Sequence, residues 1–407
     1  MPRASPKPFG RAPAHLAALI AAQEPGHGLS GEFYSDPLIY ARELERIFER
    51  HWLCAGHASS LPQPGDYATL GLAGESVILS RDRDGALHAL LNVCRHRGSE
   101  VVPCRAGHTE LFVCPYHAWS YGLDGSLLAA RHMPPGFDLA AHGLRRLQLR
   151  EAEGLIFVSF AERPLDFAPL AEIIRGSLGR YGWSRAKVAH RESYLIAANW
   201  KLAVENYVEC YHCSPAHPEY SKLHALEQPL PRIEQLNRRL AERTAALGIE
   251  VLTRDLWRNS QAGEETIECF RYALYEGVAT GSADGKPLAP LMGEFRDYDG
   301  GVTSLHVGGT SFLLAYPDHG VIYRFSPKGL AASEMELLWL VRGDAEEGRD
   351  YDRARLAWLW QVTSEADKRI VEAAERGVRS RYFVPGPLAP MEERERRYIE
   401  WYLREIA

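Results

Sequence analysis

The most constraining feature of this 407-residue sequence is a pair of short cysteine and histidine motifs on one stretch of chain. Cys94 and His96 form a Cys-x-His pair, and Cys114 and His117 form a Cys-x-x-His pair. Two thiolates and two imidazoles can hold one tetrahedral zinc ion, or a two-iron, two-sulfide cluster with the cysteines on one iron and the histidines on the other. Zinc modules usually group like ligands together, whereas each pair here is mixed. The spacing therefore favours two loops that close over an iron–sulfur cluster.

The remaining cysteines argue against a secreted, disulfide-stabilised chain. Seven cysteines in 407 residues form an odd and sparse set. In a reducing compartment, clustered cysteines and histidines are metal ligands more often than disulfides. Cys104 lies between the two motifs without a partner at ligand spacing, and we expect it to be an ordinary residue.

Charge and hydropathy exclude several classes of partner. The formal net charge is -6, and no run of lysine or arginine stands apart from balancing acids, so neither nucleic acid nor an anionic membrane is expected to bind. The apolar stretch at residues 15–22 is too short to span a bilayer and has no small-residue cleavage site after it. We expect a cytoplasmic protein.

Hydrophobic periodicity divides the chain into three parts. Residues 1–44 read as a proline-rich arm and a helix, which we expect to pack on the larger C-terminal part of the chain. Residues 45–160 contain short alternating runs separated by Gly, Pro and Asp-Gly turns, which predict a small antiparallel β domain with the Cys/His motifs on its loops. Residues 161–407 have mostly helical patterns, interrupted by a β-like block at 310–327.

A long amphipathic helix is predicted near the C-terminus, from Asp350 to Arg376, with Gly377 ending it. Its inward face carries mainly apolar residues and one acidic residue, in the order Leu356, Leu359, Trp360, Thr363, Asp367, Ile370 and Val371.

A second candidate metal site lies in the stretch NWKLAVENYVECYHCSPAHPEY. Glu205, Glu209 and His212 fall at i, i+4 and i+7, which predicts one face of a helix. Pro215 would then break the helix, so that His217 returns toward the same point. Two histidines and one carboxylate on one face of a metal are the arrangement of mononuclear non-haem Fe(II) oxygenases.

The carboxylate ligand of this site has to come from elsewhere in the chain. Asp367 is the best candidate, because it lies on the inward face of the long helix. Spacing alone would favour a capping or pairing role for it. For His212 and His217 the alternative is two buried, hydrogen-bonded imidazoles, but acid-flanked histidine pairs seldom arise for packing.

Together these motifs resemble the catalytic alpha subunit of Rieske non-haem iron oxygenases over nearly the whole chain. The family pattern of an acidic residue, two spacers, His, a few residues, His and a distant Asp falls on Glu209, His212, His217 and Asp367. The resemblance implies a mononuclear Fe(II) at the two histidines and the aspartate. It also implies an α+β fold, with a small antiparallel β Rieske domain and a larger α+β catalytic domain whose antiparallel sheet is flanked by helices. A [2Fe-2S] cluster would be held by Cys94, His96, Cys114 and His117.

The acidic residue of that pattern indicates the branch. It is Asp in the larger dioxygenase branch, whereas Glu209 resembles the branch acting on quaternary ammonium compounds such as glycine betaine, stachydrine, carnitine and choline. This implies hydroxylation of an N-methyl group and release of formaldehyde; the alternative is hydroxylation of an aromatic ring or aromatic acid. A trimethylammonium group binds through cation–π contacts, and the candidate wall residues are Tyr207, Tyr211, Phe312 and Tyr316.

The electrons must come from a partner, since the sequence has no GxGxxG or flavin motif. We expect a separate NAD(P)H-dependent flavin or iron–sulfur reductase. The resemblance further implies a head-to-tail homotrimer in which Glu209 links a cluster histidine of one subunit to the iron site of its neighbour. A non-catalytic electron carrier and a zinc-stabilised binding protein are the rival classes. The long segment after residue 160, with its own candidate iron ligands, argues against the first, and iron and acid-labile sulfide content would test the second.

Overall fold

The computed structural model describes residues 14–226, 228–251, 254–255 and 264–407. None of the helices within these ranges is both long and apolar enough to cross a membrane. The α-helices are α1 (Ala14–Ala22), α2 (Glu32–Ser35), α3 (Pro37–Glu43), α4 (Ala168–Leu178), α5 (Trp200–Val208), α6 (Cys213–Ala216), α7 (Pro218–Ser221), α8 (Leu230–Ala246), α9 (Arg353–Val378) and α10 (Glu393–Ile406). A π-helical turn at Leu44–Phe48 follows α3.

The strands of the N-terminal part form three small antiparallel sheets. Their bounds are β1 (Leu53–His57), β2 (Asp66–Leu72), β3 (Glu75–Arg81), β4 (Leu87–Leu91), β5 (Ala106–His108), β6 (Phe112–Val113), β7 (Ser120–Tyr121), β8 (Leu127–Ala129), β9 (Gln148–Ala152) and β10 (Leu155–Ser159). The strand orders are β1-β10-β9, β4-β3-β2-β5 and β6-β7-β8. Ala73 and Gly74 both have positive φ, which is the geometry of the tight two-residue hairpin that joins β2 to β3.

The C-terminal part is organised around one seven-stranded antiparallel sheet. Its strands are β11 (Ala186–Ile196), β12 (Arg254–Asp255), β13 (Ile267–Ala273), β14 (Gly301–Val307), β15 (Ser311–Ala315), β16 (Gly320–Gly329) and β17 (Ala332–Arg342), in the order β11-β17-β16-β15-β14-β13-β12. Helix α5 contacts β16 and β17, while α9 contacts α5 and β11. The α+β prediction, with an antiparallel sheet flanked by helices, is confirmed.

Sequence periodicity revealed only part of this sheet. The predicted β-like block at 310–327 forms β15 and most of β16. The long strand β11 was not recognised in a region described as mainly helical. Its sequence AKVAHRESYLI is rich in polar residues because β11 lies at an edge of the sheet and most of its side chains are only partly buried.

The long helix α9 begins and ends later than predicted. Asp352 caps it by accepting a hydrogen bond from the backbone N–H of Arg355 at 2.8 Å, so helical residues start at Arg353. Gly377 does not adopt a left-handed conformation, and the helix passes through it to Val378. Most of the predicted inward face is buried, with Ile370 exposed.

The end of α3 packs against the C-terminal end of the chain beside α5. The side chain of Arg42 donates to the backbone carbonyls of Ile406 and Ala407, at 3.1 and 2.9 Å. Fully buried Glu43 accepts hydrogen bonds from Lys201 Nζ at 2.6 Å and from the indole N–H of Trp200 at 2.8 Å. Both donors lie on the first turn of α5, so these bonds fix the helix that leads into the candidate iron site.

A buried histidine ties the start of β1 to the C-terminal helix. His51 is fully buried, with Nδ1 3.1 Å from Glu265 and Nε2 3.3 Å from Glu405. Burial lowers the pKa of His51, but the two carboxylates outweigh burial and raise it to about 9. A folded pKa near 9 exceeds the unfolded value of about 6.5. The stabilisation by protonated His51 is therefore complete below pH 6.5 and is lost as the pH rises through 9.

We expect the His51→Gln variant to unfold at a lower temperature than the wild type at pH 6.5 and to show a smaller loss of stability up to pH 9.5. The rise in the His51 pKa from about 6.5 to about 9 corresponds to on the order of 3 kcal/mol in the free energy of unfolding. Thermal unfolding across this pH range measures it, with His108→Gln as control, since His108 is 61% exposed. Identical pH profiles for wild type and His51→Gln would show that the charge on His51 does not stabilise the fold.

Candidate functional site: two metal centres and an aromatic cavity

The two Cys/His motifs lie on a matched pair of loops. In each loop the backbone N–H of the fourth residue after the cysteine donates to the cysteine carbonyl, at 3.0 Å in both Gly98 to Cys94 and Ala118 to Cys114. Both fourth residues have positive φ, 78° and 56°. The left-handed turn is natural for Gly98, and Ala118 is held in it by the bond from Cys114 N–H to Trp119 carbonyl at 2.9 Å.

These loops bring the four predicted cluster residues to one point. The Nδ1 atoms of His96 and His117 lie 3.2 Å apart, and both rings are exposed, whereas Cys94 and Cys114 are buried. The Tyr121 hydroxyl lies 3.2 Å from Cys94 Sγ. Burial raises the pKa of the Cys114 thiol, although backbone N–H groups that point at its sulfur oppose the effect. Two inner thiols and two outer imidazoles match the donor set of a [2Fe-2S] cluster with cysteines on one iron and histidines on the other.

The second site begins where α5 ends, and here one prediction is wrong. Helix α5 stops at Val208, and Glu209 has extended backbone angles, so Glu205, Glu209 and His212 do not share a helix face. The Glu209 carboxylate accepts hydrogen bonds from the Tyr211 backbone N–H and from His212 Nδ1, which replaces a further helical turn with a side-chain-capped turn. Glu205 instead accepts a hydrogen bond from the Tyr34 hydroxyl at 2.8 Å.

Proline does not cause this break. Pro215 lies inside the short helix α6, after His212 has been positioned. His217 occupies the junction of α6 and α7, with φ -145° and ψ 75°. This backbone conformation turns the His217 ring back toward His212, and the two ring centroids are 5.2 Å apart.

Asp367 on α9 completes a three-residue cluster. Its Oδ1 lies 3.3 Å from Nε2 of His212 and 3.1 Å from Nε2 of His217. One carboxylate oxygen therefore lies within 3.3 Å of two imidazole nitrogens, although 150 residues separate Asp367 from His217. This convergence matches the two-histidine, one-carboxylate donor set of mononuclear non-haem iron.

The electrostatics of the cluster favour a cation at its centre. Burial raises the pKa of Asp367, but hydrogen bonds with His212 and His217 outweigh burial and lower it. Burial lowers the pKa of His212, whereas its bonds to Asp367 and Glu209 raise it to about 9. Two carboxylates thus stabilise positive charge at His212, as a metal-binding site requires.

A cavity of about 120 Å³ opens beside this cluster, and its wall is aromatic. The walls combine the loop after α5 with one face of the sheet, α9 and the start of α10. Phe270 and Tyr272 point to the same side of β13, as alternate residues of a strand do. The aromatic side chains that line it are Tyr207, Tyr220, Phe270, Tyr272, Tyr323 and Trp360.

Of the four aromatic residues predicted for this wall, only Tyr207 lies on it. Phe312 is fully buried behind Tyr207, with ring centroids 4.2 Å apart. Tyr316 is buried and bonds to His224 Nε2 at 2.7 Å. Tyr211 is 58% exposed at the surface. The prediction is therefore wrong for Phe312, Tyr316 and Tyr211. Proximity along the sequence or within a strand pair does not determine which side chain reaches the cavity.

The aromatic residues that line the cavity in their place were not predicted from the sequence. Tyr220 lies three residues after His217 and packs edge-on against it at 5.7 Å, so its position next to a candidate ligand was a usable signal. Phe270 and Tyr272 lie about fifty residues further along the chain and carried no such signal.

A disulfide beside the candidate iron site also departs from expectation. Cys210 and Cys213 are joined, which closes the loop around His212. Cys213 lies within metal-ligand reach of His212 and His217, but its sulfur is bonded to Cys210. The general expectation that clustered cysteines serve as ligands is thus wrong for this pair, whose Cys-x-x-Cys spacing also suits a disulfide.

Two family matches cover most of the chain. Residues 51–148 match the Rieske [2Fe-2S] domain, and residues 183–407 match the ring hydroxylating alpha subunit catalytic domain. A solved structure of a quaternary ammonium Rieske monooxygenase has the same fold, with a TM-score of 0.71, 23% identity, and coverage of 94% of this chain and 96% of the other.

Several proteins of similar sequence have functional names. The glycine betaine monooxygenase oxygenase subunit of Chromohalobacter salexigens is 34% identical over 401 residues, covering 97% of this chain and 89% of the relative. The carnitine monooxygenase oxygenase subunit of Escherichia coli K12 is 35% identical over 204 residues, covering 47% and 53%. Membership of this family implies a Rieske cluster and a mononuclear iron. The chain therefore belongs to the alpha subunits of Rieske non-haem iron oxygenases, and it is an oxygen-dependent oxidoreductase.

Proposed function

We propose that this oxygenase hydroxylates an N-methyl carbon of a small quaternary ammonium compound of the glycine betaine or stachydrine type. The observation that carries the proposal is the aromatic wall next to His212, His217 and Asp367. A trimethylammonium group donates no hydrogen bonds and binds through cation–π contact with aromatic rings. The similarity to a glycine betaine monooxygenase subunit over 97% of the chain supports the same substrate class.

The overall reaction consumes dioxygen, two electrons and two protons for each methyl group. One oxygen atom enters the methyl C–H bond and the other leaves as water. The N-hydroxymethyl product then loses its hydroxyl proton to solvent and breaks its C–N bond, whose electron pair stays on nitrogen, so that formaldehyde and a tertiary amine are released. A [2Fe-2S] cluster held by the two Cys/His loops would supply one electron at a time, so the second electron has to come from outside this chain during turnover. We propose a separate NAD(P)H-dependent flavin or iron–sulfur reductase as the partner, in keeping with the "oxygenase subunit" names of the relatives.

We assign the metal ligands by geometry. Cys94, His96, Cys114 and His117 would hold the cluster, while His212, His217 and Asp367 would hold the mononuclear iron. When bound, this iron supplies the site of dioxygen activation. The first set lies among the three small sheets and the second set lies in the part of the chain that forms the seven-stranded sheet. This supports the boundary near residue 160 in the proposed division into 1–44, 45–160 and 161–407.

Glu209 would act as the positioning residue. Its carboxylate accepts a hydrogen bond from the Nδ1–H of His212. This bond holds the other ring nitrogen, Nε2, toward Asp367. A hydrogen-bonded carboxylate fixes the orientation of a ligand imidazole and raises its basicity. The aromatic residues of the wall exclude water from the substrate's methyl groups.

We further propose a head-to-tail homotrimer. The exposed rings of His96 and His117 leave the outer side of the cluster site free for a partner subunit. Glu209 is partly buried and lies two residues from exposed Tyr211, so its site also approaches the surface. Analytical ultracentrifugation of the purified protein would test the assembly, and a monomer would contradict it.

The test of function is to supply the iron-loaded protein with a promiscuous reductase and NADH, and to measure formaldehyde across methylated ammonium compounds and aromatic acids. We expect formaldehyde in proportion to NADH with glycine betaine or stachydrine. Hydroxylated product from an aromatic acid, without formaldehyde from any ammonium compound, would instead support the aromatic hydroxylase alternative.

A further inference from the structure

We propose that Arg394 binds the carboxylate of the substrate, which narrows the substrate class to betaines: quaternary ammonium compounds that also carry a carboxylate. The inference rests on the proposed function and adds a recognition element at the end of the cavity formed by the C-terminal helix. It separates betaines, which are zwitterions, from cationic relatives such as choline, which carry the ammonium group without a carboxylate.

Arg394 lies at the mouth of the cavity. It belongs to the first turn of α10 and lines the cavity together with Met391, which is 44% exposed. Its side chain is 34% exposed, so the guanidinium is within reach of an entering molecule. Among the cavity-lining residues that the structure describes, it is the one lysine or arginine.

The guanidinium of Arg394 is held in place from one side. Its Nε donates to Glu268 at 3.2 Å, and its Cζ lies 3.7 Å above the ring of Phe270. Glu268 is buried, and its Oε1 accepts a second hydrogen bond from Arg397 Nη2 at 2.8 Å. One carboxylate is therefore shared between two guanidinium groups, which leaves Arg394 only partly neutralised by Glu268.

The other side of Arg394 remains available. Neither of its terminal nitrogens, Nη1 and Nη2, makes a hydrogen bond or an ion pair with any residue in the described ranges. Two parallel N–H groups of a guanidinium match the two oxygens of a carboxylate. Because Nε is occupied by Glu268, the free pair is the one that an incoming carboxylate would meet.

A continuous aromatic surface joins Arg394 to the candidate iron site. Phe270, under Arg394, lies 5.8 Å from the ring of Tyr272. The hydroxyls of Tyr272 and Tyr220 are 3.1 Å apart, and Tyr220 packs against His217. A betaine has its cationic and anionic groups at opposite ends. It would place the ammonium group on the aromatic rings near His217 and direct the carboxylate toward Arg394.

The experiment compares the KM for glycine betaine with that for tetramethylammonium, which has no carboxylate, in the iron-loaded protein with reductase. We expect Arg394→Gln to raise the KM for glycine betaine, relative to that for tetramethylammonium, by about 10- to 100-fold, the range for a hydrogen-bonded charge pair. Arg394→Lys should recover part of the loss, because it keeps the charge without the paired N–H groups. Arg396→Gln is the matched control, as Arg396 pairs with Glu393 and Glu400 on the same helix outside the cavity.

Each outcome is decisive. A KM that rises equally for both compounds in Arg394→Gln, with unchanged melting temperature, would overturn the carboxylate assignment and leave the proposed function standing. Absence of formaldehyde from every ammonium compound with the wild type would overturn the proposed function itself. If Arg394→Gln unfolds, Arg394→Lys still tests the proposal, since an unchanged KM ratio in that folded variant would contradict paired recognition.

Discussion

Replacement of Asp367 by alanine is expected to remove the mononuclear iron and to reduce product formation by more than about 100-fold, while the Rieske cluster stays intact. The Asp367 carboxylate contacts the metal-facing nitrogens of both His212 and His217. Without it, two neutral imidazoles remain to hold a dication. Loss of even an outer-sphere partner commonly lowers metal affinity or activity by about 10- to 100-fold. Iron and sulfide analysis, the visible spectrum of the cluster and formaldehyde assays measure the three effects.

Glu365→Gln is the matched control for this experiment. Glu365 is exposed on the same helix, α9, two residues before Asp367. We expect this variant to keep both metals and its activity. Full iron occupancy and turnover in Asp367→Ala would show that the carboxylate ligand comes from elsewhere, and the proposed iron site would then be wrong.

Replacement of Glu209 by glutamine is expected to keep both metals and yet reduce coupled turnover by about 10- to 100-fold. The amide preserves the size of the side chain but removes the negative charge from the group that accepts the hydrogen bond of His212 Nδ1. The glutamine amide oxygen can still accept a hydrogen bond from His212 Nδ1–H, but a neutral acceptor holds the ring more weakly than a carboxylate does. In the proposed trimer the link between neighbouring centres would also lose its anionic group. Single-turnover formation of product per reduced cluster measures coupling directly.

Glu219→Gln provides the comparison for Glu209, because Glu219 is a partly exposed acid on the neighbouring short helix α7. We expect it to behave like the wild type. Loss of iron from Glu209→Gln would assign Glu209 a ligand or structural role, and undiminished single-turnover yield would remove it from the reaction.

The local sequence was sufficient to predict the cluster loops. Cys94 and His96, like Cys114 and His117, are close neighbours in the chain, and the left-handed turns that orient them involve only the next few residues. Such a motif carries its geometry within one short segment. The predicted inward face of α9 succeeded for a similar reason, because helical periodicity reports which residues face a core.

The local path of the chain between the two candidate iron histidines could not be predicted from spacing. A helical repeat placed Glu209 and His212 on one face, but the Glu209 side chain caps the turn and ends α5. Side-chain capping by a carboxylate competes with helix continuation, and the outcome depends on the surrounding contacts. The sequence therefore predicted which residues lie together, but it did not predict the backbone structure that unites them.

The sequence by itself determined the candidate chemistry of this protein: the donor groups of two proposed metal sites, the absence of a GxGxxG or flavin motif, and the acidic residue near His212. The tertiary structure decided which distant groups meet. It brought Asp367 to His217 across 150 residues and placed Phe270 and Arg394 at the same cavity. Metal-ligand spacing is a local property of the chain, whereas the wall of a cavity is made by side chains whose nearness depends on packing of the whole sheet and its helices.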